Sequence, residues 1–394
     1  MRVLIINDLL IHGGAEMQGL REKKILEEKN NEVFFLTFDN NFPSDSEIYS
    51  KKNGFYNIKI NNFGLEKIKN KLFFNKDLFR AINKIINDIN PEIIHVNNLY
   101  LAPITQYKAL KKWNTVQTIR DYSAVCPLDT CIKPTGEVCL GKKYNNCYFN
   151  CGRNNKNIFK IWRANKYNKI RMRNIIRYIC PSEKLTVYCK EHGYNIKCIN
   201  NPFDFDKFKK FPKNTDFKCK RYIYYGNINR EKGVVELIKA FNVFSQDKND
   251  VKLLIAGKVD KQISSEFKEL CKNDKVSYLG YLNYNDMLKT LEKVYAIVVP
   301  SLWMENYPNT VLEGLSTKTL VLGSNRGGIP AMLDNNRGII FDILDQSDII
   351  DKLQKSYEIS VEKYKTIVDN AYDYTYDNNN IKKYYERLLE VFNY

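Results

Sequence analysis

The sequence predicts two α/β domains, each built on a mainly parallel sheet with helices on both faces. Short apolar runs alternate with helix-length segments through both halves of the chain, which is the pattern of such sheets. The 394 residues exceed what one ordinary core holds. A polar, lysine-rich stretch without periodicity, residues 206–220, separates the two series. We therefore expect two domains of similar size.

In the first half, buried strands are predicted at residues 2–7, 32–38, 92–96, 115–119 and 178–180. Helical periodicity at residues 15–30 and 77–89 supplies the crossovers. In the second half the alternation restarts, with strands predicted at residues 221–225, 251–256, 276–279, 296–300, 319–323 and 338–341. A last helical segment covers residues 381–393.

Composition narrows the class of protein. With 44% hydrophobic and 27% charged residues the chain is typical of a globular protein, and no run reaches the ~18 apolar residues of a spanning helix. The apolar N-terminus is interrupted by Asp8 and is expected to be a first strand, not a leader, so we expect a cytosolic protein.

The net charge of +17 is concentrated in the first half of the chain. Over residues 1–200, 33 Lys and Arg minus 18 Asp and Glu give +15, and 29 minus 27 give +2 over residues 201–394. Such a field attracts polyanions, either nucleic acid or anionic lipid.

Two carboxylates mark the strand-to-helix turn at residues 300–314. Glu305 follows an apolar strand, and Glu313 lies eight residues later in the helix-like run that comes next. This spacing places one acid in the loop and the other in the first turns of the helix, where backbone N–H groups are unpaired. Both can reach one ligand.

Glycines next to strand ends offer places for phosphate. Gly13 and Gly14 open a helix after the first strand, and no G-x-G-x-x-G fingerprint is present, so a nicotinamide or flavin enzyme is not expected. A tight turn without a ligand would use the same residues. After the first strand of the second half, the loop from Gly226 to Gly233 carries Lys232, and a cation at a helix start favours a bound anion.

His95 ends a predicted strand and is either a core residue or a functional one. Five cysteines interrupt the alternation within an insertion at residues 122–156: Cys126, Cys131, Cys139, Cys147 and Cys151. In a reducing compartment they indicate a structural zinc site, unpaired packing thiols or a redox disulfide.

A basic segment follows the insertion. Residues 156–177 hold eight basic and no acidic side chains, interleaved with apolar residues that include Phe159 and Trp162. The pattern predicts an amphipathic helix that either lies on anionic lipid or packs one face on its domain. No nucleic-acid-binding motif accompanies it, so nucleic acid is not an expected partner.

The order of these motifs resembles that of the retaining glycosyltransferases of family 4, which carry an E-x7-E motif. Their GT-B fold has two Rossmann-like domains facing a central cleft. The resemblance covers nearly the whole chain and includes Gly327-Gly328-Ile329-Pro330. It implies an acceptor-binding domain at residues 1–202, a nucleotide-sugar-binding domain at 203–375, and a segment 376–394 that returns to the first domain.

The resemblance also implies roles for individual residues. Lys232 grips the donor diphosphate, with Arg230 as substitute for the arginine that Asn227 replaces. Arg120 stands where the family has a histidine near the transferring sugar, and an arginine cannot act as a base near neutral pH. With His95 and Glu305 these complete the predicted catalytic set. Donor binding is assigned to Gly13, Gly14, Gly226, Asn227, Tyr281, Leu282, Asn306, Tyr307, Asn309, Thr310 and Glu313.

The expected function is transfer of a sugar from a UDP- or GDP-linked donor to a lipid-linked oligosaccharide, at the inner leaflet of the cell membrane and without a metal cofactor. No D-x-D motif stands at a strand end suited to bridging Mg²⁺ and diphosphate. The alternatives are another enzyme of the same architecture, a sugar-nucleotide 2-epimerase or a phosphorylase, and a non-enzymatic polyanion-binding protein.

Overall fold

The computed structural model describes residues 1–10, 14–38, 49–61, 63–133, 137–139, 147, 151, 155–208 and 217–393. It divides into two compact units. The first consists of Met1–Asn201 with Tyr384–Tyr394, and the second is Pro202–Lys383. The chain changes unit next to the expected boundary at residue 202, whereas the segment expected to return, 376–394, is divided at Tyr384.

The first unit contains one sheet with strand order β3-β4-β2-β1-β5-β6-β7-β8. All neighbours are parallel except β3 and β4. The strands are β1 (Arg2–Asn7), β2 (Glu32–Thr37), β3 (Tyr49–Lys52), β4 (Phe55–Ile58), β5 (Ile93–Asn98), β6 (Thr115–Thr118), β7 (Arg177–Cys180) and β8 (Ile196–Cys198). Side chains on both faces of the central strands are buried, as a parallel sheet covered by helices requires.

The helices of the first unit are α1 (Gly14–Glu28), α2 (Gly64–Leu72), α3 (Lys76–Ile89), α4 (Pro103–Ala109), α5 (Asn155–Asn174) and α6 (Glu183–Glu191). Helix α3 shows how sequence sets their bounds. The Asn75 side chain accepts hydrogen bonds from the N–H groups of Asp77 and Leu78, and Asn90 ends the helix in the left-handed conformation.

The second unit contains a fully parallel sheet with strand order β11-β10-β9-β12-β13-β14. Its strands are β9 (Lys220–Tyr225), β10 (Val251–Ala256), β11 (Val276–Tyr278), β12 (Ala296–Val299), β13 (Leu320–Ser324) and β14 (Ile339–Phe341). The chain order reverses direction between the neighbours β9 and β12. Ligands of open α/β sheets bind outside the carboxyl ends of strands at such a point.

The helices of the second unit are α7 (Phe205–Phe208), α8 (Val234–Phe244), α9 (Ser264–Leu270), α10 (Tyr284–Leu291), α11 (Asn309–Ser316), α12 (Ile329–Leu333), α13 (Gln346–Tyr357) and α14 (Val361–Asn379). The last helix is α15 (Ile381–Phe392), and the boundary between the two units falls within it, between Lys383 and Tyr384. The two sheet faces of this unit pack into two apolar clusters, one with α8, α13 and α14 and the other with α10, α11 and α12.

Candidate functional site

Glycines bring the loops after β9, β10 and β12 into contact. A Cβ atom on Gly257 would lie 1.7 Å from the carbonyl oxygen of Gly226, and one on Gly233 would lie 1.8 Å from that of Pro300. Both glycines also have positive φ, +145° and +66°. Only glycine permits this close approach, which sets the segment that carries Lys232 beside the loop that carries Glu305.

An ion pair joins the two loops. Lys232 Nζ lies 2.6 Å from Glu305 Oε1, and the Ser301 hydroxyl donates to the same oxygen at 2.7 Å. The side chains of Lys232 and Glu305 are 29% and 12% exposed, and Lys232 also lies over the Trp303 ring. Partial burial strengthens the field of both charges, while the exposed fraction leaves them within reach of a ligand.

The predicted Gly-Gly turn holds the backbone of Glu305. Gly328 N–H donates to the Glu305 carbonyl at 2.7 Å. A Cβ atom on Gly327 would lie 1.9 Å from that carbonyl oxygen, and φ at Gly327 is +60°. The glycines after β13 therefore fix the position of the first acid of the E-x7-E motif.

The second acid, Glu313, lies in α11 and is half-buried. Its Oε2 accepts a hydrogen bond of 2.6 Å from the hydroxyl of Tyr225, the last residue of β9. Helix α11 begins at Asn309, four residues after Glu305, and no side-chain cap is present at its positive end. Asn309 and Thr310 are half-buried in its first turn.

The other predicted donor-binding residues divide into exposed and buried ones. Asn306 and Tyr307 are buried, and the Tyr307 hydroxyl pairs with the Asn379 side chain, so the hydroxyl is engaged in the core. Tyr281 is 70% exposed with Lys258 beside its ring, and Leu282 packs on the core.

The structure does not bring Arg230 to the Lys232–Glu305 pair. Its guanidinium forms a 3.1 Å ion pair with Glu266, and 61% of its side chain is exposed. Asn227 is exposed as well, and its carbonyl accepts a hydrogen bond from Tyr224. Of the two predicted cations, the geometry therefore favours Lys232 for this site.

His95 is a core residue in the first unit. Its side chain is fully buried, Nδ1 pairs with Glu22, and Nε2 lies 2.7 Å from the Thr118 hydroxyl. The Tyr384 hydroxyl donates to the other oxygen of Glu22. With both ring nitrogens engaged and no exposed surface, His95 fits the core alternative and not the catalytic role assigned to it.

Arg120 lines a cavity of about 400 Å³ at the carboxyl ends of β5 and β6. Its Nε donates to Asn97 Oδ1 at 2.7 Å and its Nη1 to Asn201 Oδ1 at 2.8 Å. Burial lowers the pKa of its guanidinium from its ordinary value.

Gly14 begins α1, whereas Gly13 lies outside the described residues.

Four of the five clustered cysteines, Cys126, Cys131, Cys139 and Cys147, line one small cavity together with His192. A hydrogen bond from the Cys131 thiol lowers the pKa of Cys126 to about 6. Within the described ranges no three His, Cys, Asp or Glu side chains are arranged to hold a metal ion, and these cysteines form no disulfide.

The basic segment forms helix α5. Its exposed face is aromatic near the N-terminus and basic near the C-terminus. Phe159 and Trp162 are 46% and 48% exposed and stack on each other. Lys169 and Arg173 continue the same stripe, exposed, toward the C-terminus. Arg171 instead points inward, buried, and donates to Asn168 and Tyr194.

In the part of the chain that the structure describes, no helix has the length and apolarity to cross a bilayer.

Comparison with known proteins supports a glycosyltransferase. Residues 205–374 match the family model described as glycosyl transferases group 1. An uncharacterized 42.6 kDa protein in the cps region of Klebsiella pneumoniae is 25% identical over 351 residues, 84% of this chain and 86% of that protein. The capsular polysaccharide biosynthesis glycosyltransferase CapM of Staphylococcus aureus is 26% identical over 136 residues, 34% of this chain and 35% of CapM.

Solved structures with the same fold include sucrose-phosphate synthase from Thermosynechococcus elongatus, at a TM-score of 0.73 and 14% identity over 100% of this chain and 98% of that one. Anabaena HepE in complex with UDP-glucose aligns at a TM-score of 0.70 and 14% identity, over 99% and 98%. The chain thus has the GT-B fold of glycosyltransferases, and the predicted fold is confirmed. The matches do not favour the epimerase alternative.

The sequence predicted no role for three residues of the second-unit site: Tyr225, Ser301 and Trp303. Tyr225 immediately precedes the glycine loop, and Ser301 and Trp303 lie inside the E-x7-E turn. Their position at strand ends is the one signal that would have singled them out.

Proposed function

We propose that the protein is a retaining glycosyltransferase of family 4 whose second unit binds a nucleotide sugar. The observation that carries the proposal is the Lys232–Glu305 ion pair at the carboxyl ends of β9 and β12. It places one cation and one carboxylate where an α/β sheet of this topology binds ligands. The match of residues 205–374 to glycosyl transferases group 1 supports it independently.

Each group has a task that follows from its chemistry. Lys232 and the positive end of α11 neutralise the leaving diphosphate, which is stabilisation where charge develops. Glu305 accepts hydrogen bonds from hydroxyls of the donor sugar, and the backbone of residues 306–310 surrounds the rest of that sugar. Glu313, oriented by Tyr225, accepts from the ribose hydroxyls.

The direct test is turnover of nucleotide sugars followed by proton NMR, with membrane extract as acceptor source. UDP-sugars come first because HepE was solved with UDP-glucose, and GDP-sugars follow. An α-linked donor should give an α-linked product, and a β-linked product would overturn retention. If none of the donors is consumed with or without extract, the protein is not this enzyme.

Catalysis is proposed to need no metal ion, because Lys232 and the N-terminus of α11 would supply the positive charge that the leaving diphosphate needs. Turnover should therefore persist in EDTA. Loss of turnover in EDTA that added Mg²⁺ restores would contradict this part of the proposal.

We propose a lipid-linked acceptor in cell-surface polysaccharide synthesis, reached by peripheral attachment to the inner leaflet. The α2/α5 surface, defined as Phe63, Leu65, Ile68 and Phe73 around α2 with Phe159 and Trp162 on α5, is exposed and apolar. The hydroxyl of Tyr167 on α5 donates to the carbonyl of Lys71 on α2 at 2.5 Å, so the helices adjoin. Neighbouring lysines and arginines give about 1 kcal/mol each at an anionic membrane.

Vesicle sedimentation tests the attachment. Charge reversal of Lys166, Lys169 and Arg173 should release the protein from anionic vesicles, as should salt, while nucleotide binding stays unchanged. Arg171 is left intact because it is buried, and reversing it would destabilise the fold. Absence of binding, or binding that survives the three reversals, would leave α5 as a solvated face and favour a soluble acceptor.

We also propose one structural zinc ion for the cysteine cavity, because four thiols line it and thiolates are the ligands zinc prefers. Binding would require these thiols to move closer together, since the described side chains do not form a coordination set as they stand. Element analysis of the purified protein should find about one zinc per chain, and Cys131→Ser should remove it. A metal-free protein with ten titratable thiols would identify the cysteines as packing residues, and fewer thiols would indicate a disulfide.

A further inference from the structure

The cavity beside Arg120 is strongly cationic. Its volume is about 400 Å³, and it lies wholly within the first unit, at the carboxyl ends of β5 and β6 with α2 and α5 on its sides. Five cations line it: Lys71, Arg120, Lys160, Arg163 and Arg171. The acids in its lining are Asp121 and Asp129.

Three of these cations, Lys71, Lys160 and Arg163, are in no salt bridge among the residues that the structure describes. Asp129 in the same lining attracts all three, and Asp8 attracts Lys71. Burial, followed by the nearby charges of Arg163 and Lys67, lowers the pKa of Lys71 below its ordinary value. Five cations against two acids leave the lining with a net positive charge, and a bound anion would relieve the repulsion between the cations.

The deepest cation is held in place by the fold. Arg171 is 8% exposed, and its Nη2 donates to Asn168 and to the Tyr194 hydroxyl, the latter at 2.6 Å. Its Nε is buried and has no hydrogen-bond partner among the described residues. Burying a guanidinium N–H unpaired is costly, and an acceptor oxygen in the cavity would satisfy it.

We infer that this cavity binds an anionic group of the acceptor, a phosphate, diphosphate or carboxylate. The inference rests on the proposed function, because it names the chemistry of the second substrate. Guanidinium groups bind the oxygens of these anions through paired, charge-assisted hydrogen bonds. A neutral glycan end would leave the net positive charge of the lining uncompensated.

Two sources would supply such a group: the phosphate of a lipid carrier or an acidic sugar. Lys71 belongs to α2, and Lys160 and Arg163 belong to α5, so the cavity adjoins the α2/α5 surface. That position is within reach of a carrier phosphate at a bilayer surface. A carboxylate at the end of a glycan would use the same cations.

The test measures anion binding by calorimetry in a Lys232→Ala background, which weakens diphosphate binding at the donor site. The probes are farnesyl diphosphate for the carrier and glucuronic acid for the acidic sugar. At least one should bind, and Arg163→Gln or Lys71→Gln should weaken it about 10-fold or more, the effect of a lost charge-assisted hydrogen bond. Lys108→Gln on α4, exposed and outside the cavity, is the matched control.

The two probes distinguish the two sources of the anion. Preference for farnesyl diphosphate assigns the cavity to the carrier phosphate, and preference for glucuronic acid assigns it to an acidic sugar. Failure of both probes to bind at millimolar concentration, or equal losses in the Lys108 control, overturns the inference. If the wild type consumes no nucleotide sugar while the anion still binds in the Lys232→Ala background, the proposed function fails and the anion site stands.

Discussion

Replacing Lys232 by alanine should slow sugar transfer far more than replacing Arg230, although the two cations stand two residues apart. Lys232 Nζ lies 2.6 Å from Glu305 in a half-buried setting, whereas the Arg230 side chain is 61% exposed and pairs with Glu266. At an effective dielectric constant of about 20, a unit charge 4 Å away contributes about 4 kcal/mol. Loss of one such contact to a developing charge costs about 10²–10³ in rate.

For Arg230→Ala we expect a loss below about 5-fold, since exposed ion pairs contribute about 0–1 kcal/mol. The assay is kcat/KM for release of the nucleoside diphosphate, with thermal unfolding of each variant as control for folding. Lys232→Ala leaves Glu305 partly buried without its cation, so the Lys232→Ala/Glu305→Gln double variant is compared with Glu305→Gln alone. The further loss in kcat/KM between those two proteins measures the catalytic effect of Lys232 without an unpaired carboxylate. Equal losses in the two single variants, or a larger loss for Arg230→Ala, would refute the assignment of Lys232.

Three further predictions follow from single contacts. Gly327→Ala should lower both the melting temperature and kcat/KM, because its Cβ would lie 1.9 Å from the Glu305 carbonyl oxygen; a variant with unchanged values of both would show that the loop tolerates the shift. Tyr225→Phe removes the hydrogen bond to Glu313 and should weaken nucleotide affinity about 3- to 10-fold with little change in kcat, as measured by initial rates. Burial raises the pKa of Asp8 to about 7, so its contribution to stability is lost as pH rises from about 4 to 7. In urea titrations, the free energy of unfolding of Asp8→Asn relative to that of the wild type should rise by about 2 kcal/mol between pH 5 and pH 8. A difference between the two proteins that stays constant with pH would contradict the raised pKa.

The alternation of apolar runs and helical segments was enough to predict the architecture. Strand β1 lies at the predicted residues, and most other predicted strands differ from the structure by one or two residues at an end. The pattern missed β3, β4 and β8, which lie at or next to the two edges of the first sheet and include polar residues, whereas strands as short as β12 and β14 are apolar throughout and were predicted. The pairing of the three missed strands depends on the neighbouring strands, which a local pattern does not contain.

The candidate site was partly predictable because its residues follow predicted strands. Motif order located Lys232, Glu305 and Glu313, because they follow strands whose ends meet at one edge of the sheet. Sequence distance could not tell that Arg230 pairs with Glu266. It also could not show that His95 is fixed in the core by Glu22 and Thr118.

The central claim, that the second unit holds a nucleotide sugar between Lys232 and Glu313, is tested most directly by equilibrium binding. Calorimetry with a panel of UDP- and GDP-sugars should give one site per chain for at least one donor. Glu313→Gln should weaken that binding about 10-fold or more, while Lys239→Gln, on α8 and paired with the surface Glu266, should leave it unchanged. Absence of binding by every donor, or binding that Glu313→Gln leaves intact, would contradict the account.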